Sequence, residues 1–582
     1  KVSIREERRN NKLMKHVINI VRRYIPVEIR LLREAIKIYI YRKLNRRSNA
    51  IGPKEFPIDL KGNVALYTHP FLENNGNKYF AQIYGADKVT DTIIHQRGYL
   101  HFITEVITGE IYKEEFTFTT SNEVIIPVSI PDKNTDKRNG KLIVQVNNSL
   151  FEMRGLKKNS FHYLSLPAKK NITINSPSNS IITGKPIIKK SHITTNKKLV
   201  ISIFIDGLGA EIFNKKDFST IMPNTSNYFS DGLIFFNGYA NANWTLPSVP
   251  SIISGLYTIN HGVYDSTLIQ HIGEGYNVLS EYFKNAGYLT CRIDNGMRQS
   301  PSYNYAKGFD RTLQKLNMPC KEVITNAIEH LTAFNERDNY LWLSFMDLHH
   351  DLYGIPDTSK QVNMPLHIYD FASQKKKSPF ASFDEKFIER YALEITRIDM
   401  YLGILYNFIK SNYNDDEIVV SICSDHGRGF LGSHEERLAE HRIKVPMMFK
   451  SIDIDSSTSD EIIEDIDYLP ALLKATGLNV ENSAIDGRVP RAMGGKIKKI
   501  FALCEDIHQE AKYYAAVYGV NHILFVESAE IVYNIKDFDF MSCKYRFFDR
   551  KSNSIVDSGI CSHSSKMADA HILFLKNHKH KR

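Results

Sequence analysis

The sequence lacks the features that mark membrane-spanning, disulfide-rich and zinc-ribbon proteins. It contains no run of about 18 apolar residues, which a membrane-crossing helix would need, and no signal-peptide pattern. Its six cysteines are scattered without a CxxC spacing, which argues against a zinc ribbon or a disulfide framework. Scattered thiols fit a reducing compartment, so we expect a cytoplasmic or membrane-peripheral location.

The positive charge is concentrated at one end of the chain. The net charge is +10, but residues 1–47 alone contain fifteen Lys or Arg against four Glu, so the remainder is close to neutral. Within residues 13–44 apolar positions recur near helical spacing, and Pro26 divides them into two helices. This basic helical arm, residues 1–49, either makes a peripheral contact with a membrane or anionic polymer, or docks on the protein's own body with its charges solvated. The second interpretation is favoured, and we expect no nucleic-acid partner.

Three further regions differ in their hydrophobic patterns. Residues 50–196 contain short alternating apolar runs separated by turn residues, which predict an antiparallel β-rich accessory domain, a sandwich. In residues 197–490 apolar strands alternate with helical segments, which predicts an α/β domain with a mostly parallel sheet flanked by helices. Residues 491–582 combine a predicted helix, Ile507–Tyr518, with short strands such as Val520–Val526, which predicts a small α+β subdomain.

Three apolar segments of the α/β region each run into an aspartate. They are Leu199–Ile205 before Asp206, Tyr340–Met346 before Asp347, and Ile418–Ser424 before Asp425. Ligands bind where parallel strands end, so the three carboxylates would meet there and repel each other without a compensating charge. Histidines follow two of these aspartates, and imidazole and carboxylate together suit a divalent cation. The pattern predicts a metal site, although any one aspartate alone would more often cap its strand.

Thr245 is the candidate nucleophile. It lies in the segment Asn243–Ser251, between a predicted strand and a predicted helix, and Pro247 favours a helical first turn there. A hydroxyl at a helix N-terminus is placed where an alkoxide and an oxyanion are stabilised, and a metal would lower its pKa further. The alternative is that Thr245 only caps the helix. Asn243, at the start of the segment, is a candidate substrate-binding residue.

The order of these pieces resembles the sulfatase/alkaline phosphatase superfamily. The similar segments are 205–207, 222–224, 232–240, 245–248, 254–262, 286–290, 391–403, 424–427 and 442–446. They include Ser424-Asp425-His426-Gly427, which is the family's "SDHG" motif, and the stretch around Thr245; any one segment is weak evidence, and their order is what makes the resemblance specific. The resemblance implies a metal-dependent ester hydrolase or transferase with an alkaline-phosphatase-like sheet.

The resemblance also implies individual roles. The candidate metal ligands are Asp206, Asp425, His426 and Thr245, with Asp347 as a further one. The candidate catalytic residues are Thr245, His349 and His441, and the candidate substrate-binding residues are Asn243, His350 and His434. A further histidine is usual near the last motif, where His434 and His441 compete and His441 is favoured. The resemblance leaves open whether a second metal binds. Histidine favours Zn or Mn, with Ca or Mg as alternatives.

Departures from the sulfatase pattern favour phosphate chemistry. Sulfatases need Cys or Ser at the nucleophile position to form formylglycine, and Thr245 cannot give that aldehyde. Val249 replaces their arginine, Gly207 replaces the second of their paired aspartates, and Asp294-Asn295 replaces their Gly-Lys. We therefore expect a phosphoester hydrolase or phospho-group transferase that acts on a glycan, lipid or polyol ester. The alternatives are a sulfuric-ester hydrolase and an inactive relative that serves as a binding module.

Overall fold

The computed structural model describes most of the chain from residue 69 onward. The described residues are 69–74, 76–84, 102–132, 140–177, 180–190, 197–265, 270, 272, 275–350, 383, 385–434, 436–479, 485–508, 511–532, 543–552 and 554–556. The predicted basic arm, residues 1–49, lies outside them. So do several candidate strands of the accessory region, such as 64–67.

The described part of the accessory region consists of antiparallel strands, as predicted. The strands are β1 (Leu72–Asn74), β2 (Asn77–Tyr84), β3 (Ile103–Tyr112), β4 (Glu115–Thr119), β5 (Val124–Ser129), β6 (Gly140–Val146), β7 (Ser149–Leu156), β8 (His162–Leu166), β9 (Asn171–Asn175), β10 (Ile181–Gly184) and β11 (Ile187–Ile188). Strands β4, β9, β6 and β7 form a separate four-stranded sheet. Apolar side chains of β6 and β9 pack against those of β5, β8 and β10, so two β layers enclose one core.

The α/β region supplies the centre of the largest sheet. Its strands are β12 (Leu199–Ile205), β13 (Leu233–Tyr239), β14 (Leu289–Asp294), β15 (Arg311–Gln314), β16 (Asn339–Phe345), β17 (Ile418–Cys423), β18 (Lys444–Lys450), β19 (Ser457–Ser459) and β20 (Ile463–Glu464). The order β15-β14-β16-β12-β17 is parallel throughout. Strand β18 then pairs antiparallel with both β17 and β13. The predicted mostly parallel sheet is confirmed.

Helices cover both faces of this sheet. The α-helices are α1 (Ile212–Lys215), α2 (Phe218–Ile221), α3 (Pro223–Tyr228), α4 (Thr245–Ser254), α5 (Thr258–His261), α6 (Leu279–Asn285), α7 (Cys320–Ala333), α8 (Asp347–His350), α9 (Glu385–Asn412), α10 (Glu440–Ile443) and α11 (Tyr468–Ala475). Along β12, Ile201 and Ile203 face the core under α7 and α9, whereas Val200 and Phe204 face the core under α4 and α11. Burial on both faces explains the continuous apolar strand. No helix among the described residues has the length and apolar character of a membrane crossing.

The accessory strands continue the central sheet. Strand β3 pairs antiparallel with β15, with Thr312 opposite Val106, and β10, β5 and β11 extend the sheet beyond β3. At this junction the Arg311 Nε donates to Glu105 Oε1 at 2.6 Å, and both side chains are buried. The accessory and catalytic regions therefore share one sheet, and the proposed boundary at residues 196 and 197 stays a prediction.

The described C-terminal residues form a five-stranded antiparallel sheet. Its strands, in sheet order, are β21 (Phe501–Asp506), β22 (Ala511–Gly519), β23 (His522–Val532), β24 (Cys543–Asp549) and β25 (Ser554–Val556). The helix predicted at Ile507–Tyr518 is wrong, since most of that span is β22. Val517 packs in one apolar cluster and Ala516 in another. Because both faces of β22 are covered, the strand lacks the alternation that distinguishes a strand from a helix.

Candidate active site

The register of three strands brings their carboxyl ends together. Ile205 of β12 is opposite Phe345 of β16, and Phe204 is opposite Cys423 of β17. The residues that follow these strands therefore lie at one sheet edge. The Asp206 amide donates to the carbonyl oxygen of Phe345 at 2.9 Å, which continues the pairing up to the first acid.

Asp206, Asp425 and His426 form one buried group. One ligand atom from each of the three residues lies within 4.8 Å of the others. His426 Nε2 is 3.3 Å from Asp425 Oδ2 and 4.0 Å from Asp206 Oδ1. The other oxygen of Asp425 accepts a hydrogen bond from the Gly207 amide at 2.9 Å. The three residues thus lie in the segments that directly follow the ends of β12 and β17.

The two carboxylates of this group differ in proton affinity. Burial and, second, the negative charge of Asp206 raise the pKa of Asp425 to about 6. Burial acts in the same direction on Asp206, but the nearby His349, His426 and Arg428 outweigh it and lower the pKa of that carboxyl. At this distance, repulsion between two buried carboxylates disfavours the ionisation of both unless a further positive charge is present.

The residues present fit a divalent metal ion. Asp425 Oδ2 is buried and has no hydrogen-bond partner among the described residues, as expected of an atom reserved for a cation. Two carboxylates and an imidazole are a common donor set for Zn²⁺ and other divalent ions. A bound cation would also remove the repulsion between the two aspartates.

Thr245 lies beside this group. It is the first residue of α4, and Trp244 rather than Thr245 is the N-cap residue. The Thr245 hydroxyl donates to Asp206 Oδ2 at 3.0 Å, so the side chain points at the carboxylates and not at its own helix. All ten residues of α4 are buried, which fixes the hydroxyl at the helix N-terminus.

Asp347 lies at the same sheet edge but has other partners. Its Oδ1 accepts hydrogen bonds from the guanidinium of Arg397 and from the Cys320 amide at the start of α7. The three-residue group does not include it. Its Oδ2 is buried without a hydrogen-bond partner among the residues described, so one oxygen is available and its role as a metal ligand stays a prediction.

The candidate histidines lie in two places. His349 belongs to α8 and is close enough to Asp206 to lower the pKa of that carboxyl; His350 ends the same helix. His434 and His441 line a cavity of about 790 Å³ whose other wall is the C-terminal sheet. Burial lowers the pKa of His441 to about 4, so its ring is neutral at neutral pH.

His441 is connected to the metal group through the backbone. Its carbonyl oxygen accepts from the Arg428 amide at 3.0 Å, two residues after His426. Its Nε2 is buried and has no hydrogen-bond partner among the residues described. Asn243 is also buried; its Nδ2 donates to the Arg437 carbonyl oxygen at 3.3 Å, and its Oδ1 has no partner within the described chain.

Arg428 is the main site residue that the sequence did not reveal. Its side chain is fully buried; Nη2 donates to the Leu348 carbonyl oxygen at 2.9 Å and lies 3.5 Å from Asp206 Oδ1. It therefore connects the helix that carries His349 to the first acid. Two features of the sequence could have indicated its role: its position directly after the "SDHG" motif, and the glycine at position 207.

Comparisons with known proteins agree with this geometry. Residues 198–478 match the family model for sulfatases. Residues 198–478 form a domain of the sulfatase family, within the sulfatase/alkaline phosphatase superfamily. The predicted resemblance is confirmed, and the chain is a hydrolase of this superfamily. No curated protein matches the sequence.

Solved structures share the fold at low sequence identity. One is yidJ from Bacteroides fragilis, a proposed sulfatase, which is 15% identical over 67% of this chain and 97% of its own, with a TM-score of 0.53. Another is the phosphonate monoester hydrolase SpPMH from Silicibacter pomeroyi, 15% identical over 65% of this chain and 94% of its own, with a TM-score of 0.49. At such identities the likeness to yidJ concerns the fold alone.

Proposed function

We propose that this protein is a metal-dependent phosphoester hydrolase or phospho-group transferase that acts through Thr245. The observation that carries the proposal is the 3.0 Å contact between the Thr245 hydroxyl and Asp206. It sets a buried hydroxyl at a helix N-terminus beside two carboxylates and an imidazole. A threonine used only to cap a helix would point back towards its own backbone.

The metal would be held by Asp206, Asp425, His426 and Thr245, with Asp347 as a candidate further ligand. We favour Zn or Mn because an imidazole is part of the donor set. When bound, a divalent ion lowers the pKa of a coordinated hydroxyl and neutralises charge on the transferred group.

The chain's own residues would perform a two-step displacement. Thr245 Oγ1 forms a bond to phosphorus, the bond from phosphorus to the substrate alcohol breaks, and the alcohol leaves with a proton. In the second step water, or another alcohol, takes the phosphoryl group from Thr245 and the hydroxyl is restored. The N-terminus of α4 favours the negative charge on the transferred group. His349, His426 and Arg428 together hold the pKa of Asp206 low against the effect of burial, which keeps that acid ionised.

We assign His349 and His441 to the leaving alcohol and the transferred anion. His349 is close enough to Asp206 to lower the pKa of that carboxyl, which supports a place beside the group that Thr245 would hold. Because His441 is neutral at neutral pH, we expect it to bind or orient the substrate and not to donate a proton there. His350 and His434 are proposed to contact the alcohol portion, which we expect to be a glycan, lipid or polyol.

A sulfuric-ester hydrolase is the second candidate, because the matching family is that of the sulfatases. The residue at the nucleophile position favours phosphate chemistry over it. Formylglycine forms from Cys or Ser, and a threonine would give a ketone instead of the aldehyde. A phospho-threonine intermediate needs no such modification.

The experiment compares three esters: 4-nitrophenyl phosphate, bis(4-nitrophenyl) phosphate and 4-nitrophenyl sulfate. Each is assayed with and without EDTA on wild type, Thr245→Ala and Thr245→Ser. The control is Ser248→Ala, which removes a buried hydroxyl from the same helix, one that donates to the Ala242 carbonyl oxygen instead of to the carboxylates.

We expect phosphate-ester turnover that EDTA abolishes, Thr245→Ala removes and Ser248→Ala retains. Intact-mass measurement should detect a phosphate adduct in wild type and none in Thr245→Ala. Sulfate turnover that survives Thr245→Ala would overturn the proposal.

A further inference from the structure

Three chain segments meet on the ring of Trp244, immediately before the proposed nucleophile. The Arg298 guanidinium lies 4.7 Å from the ring centroid, and the His508 ring stacks on it at 4.3 Å. The Trp244 indole N–H donates to the Ile507 carbonyl oxygen at 3.1 Å. The turn Met297–Gln299, the start of α4 and the end of β21 are thus fixed to one another.

Arg298 has no charged partner in this arrangement. Among the described residues its guanidinium makes no hydrogen bond and no ion pair, and its side chain is partly exposed. The neighbouring groups differ, because His508 Nε2 and Arg437 Nη1 each lie 3.0 Å from Asp506. Asp506 is thus the partner of both groups, whereas no carboxylate among the described residues makes an ion pair with Arg298, so the charge of this guanidinium is not compensated there.

The ring contact holds the Arg298 guanidinium in place beside Trp244. A cation over an indole ring is held by the ring's negative face, and Trp244 is itself only 6% exposed. Because the side chain of Arg298 is partly exposed, a ligand can approach the guanidinium while it is packed on the ring. A guanidinium can donate two parallel hydrogen bonds to one oxyanion, which is the strongest recognition that Arg provides.

We propose that Arg298 is a subsite for a second oxyanion on the substrate. The proposal rests on the phosphate-ester function proposed above, because it places the reacting ester on Thr245 and the second anion beside the preceding residue. The substrate class is then a polyol or sugar ester that carries another phosphate or sulfate on its alcohol portion. Arg298 is a specificity-determining residue that binds the part of the substrate that does not react.

The test measures binding to the full-length, Mn-loaded Thr245→Ala protein by isothermal titration calorimetry. One arm compares D-glucose 1,6-bisphosphate with D-glucose 6-phosphate, and the other compares glucosamine 2-N,6-O-disulfate with N-acetylglucosamine 6-sulfate, whose amide nitrogen carries no charge. Each pair differs by one anion. Arg298→Gln and Arg298→Lys are made in this background, with Arg154→Gln as the control, since Arg154 is an exposed arginine of β7.

We expect the doubly charged ligand of at least one pair to bind more tightly, and Arg298→Gln to reduce that preference by about 10-fold or more. Arg298→Lys should keep part of it, because the charge remains but the fork does not. Arg154→Gln should leave it unchanged. The arm that shows the preference identifies phosphate or sulfate as the second anion.

The proposal is overturned if Arg298→Gln weakens both members of each pair equally, since the arginine then only covers Trp244. It is also overturned if neither pair shows a preference in the parent protein. Failure of the proposed function looks different. If the wild type turns over no phosphate ester but the Arg298-dependent preference persists, the subsite stands and the reaction assignment falls.

Discussion

The Arg428 guanidinium occupies the space that a side chain at Gly207 would need. A Cβ added at Gly207 would lie 2.4 Å from Arg428 Nη2 and 2.5 Å from Cζ and Nε. Gly207 also has a φ of +71°, so two independent restraints act at this residue. The Arg428 guanidinium can lie directly beside Asp206 only because the next residue, Gly207, has no side chain.

Gly207→Ala should therefore destabilise the protein more than its backbone angle alone explains. Gly477→Ala is the matched control, because Gly477 has a φ of +73° but open space around its Cβ position. We expect Gly477→Ala to cost about 1 to 2 kcal/mol, and Gly207→Ala to cost at least about 2 kcal/mol more. Urea unfolding measures both; equal losses would show that the arginine moves aside freely.

Metal removal should lower stability and depend on the three-residue group. We expect chelation by EDTA to lower Tm, since a ligand that binds only the folded state stabilises it. Asp425→Asn should reduce metal content measured by mass spectrometry, whereas Asp399→Asn should not. Asp399 is equally buried, but it accepts hydrogen bonds from Asn224 and Thr225 instead. Unchanged metal content in Asp425→Asn would contradict the ligand assignment.

His261 should make the protein less stable in mild acid. Burial lowers the pKa of His261 to about 3, and its Nδ1 accepts from the Val263 amide at 3.0 Å. The folded state keeps the ring neutral, while the unfolded chain takes up a proton below about pH 6.5. Stability from this group is therefore complete above pH 6.5 and lost as the pH falls towards 3.

The measurement is the free energy of unfolding between pH 4 and 6.5. We expect His261 to contribute a slope of about 1 kcal/mol per pH unit there, and His261→Gln to remove it. His69→Gln, at an exposed position, controls for the loss of one histidine. An unchanged slope in His261→Gln would show that the buried ring is not responsible.

The two-sided burial of β22 predicts that neighbouring residues are equally sensitive. Ala516→Asp and Val517→Asp each place a charge in a different apolar cluster, and we expect each to lower stability by about 3 kcal/mol or more. Lys512→Ala, at an exposed position of the same strand, should change it by less than about 0.5 kcal/mol. Thermal unfolding checks all three; tolerance of either charge would contradict a strand covered on both faces.

The sequence predicted the features that depend on local pattern. The strands that run into aspartates could be predicted because burial on both faces produces uninterrupted apolar runs. The order of the motifs around Thr245 and Asp425 is also specific. The same reasoning failed for β22, which is also covered on both faces but contains alanine and tyrosine instead of a run of branched residues. Without alternation, a helix was the natural prediction for that segment.

Features that depend on distant residues could not be predicted. Arg428 and Gly207 are 221 positions apart in the sequence, and their contact follows from the register of β12 and β17. The pairing of β3 with β15 is non-local in the same way. That Arg298 has no carboxylate partner within the described part of the chain could not be predicted either, because it depends on which carboxylates reach Arg437 and His508.

The shared sheet has a practical consequence for anyone who shortens this protein. A fragment cut between residues 196 and 197 would expose the edge of β15, where Thr312, Leu313 and Gln314 pair with β3 in the intact chain. It would also leave Arg311 without Glu105. Open strand edges invite pairing with other chains, so the isolated catalytic half should self-associate. By covering the edge of β15, the accessory strands should protect the protein from self-association, whatever else they bind.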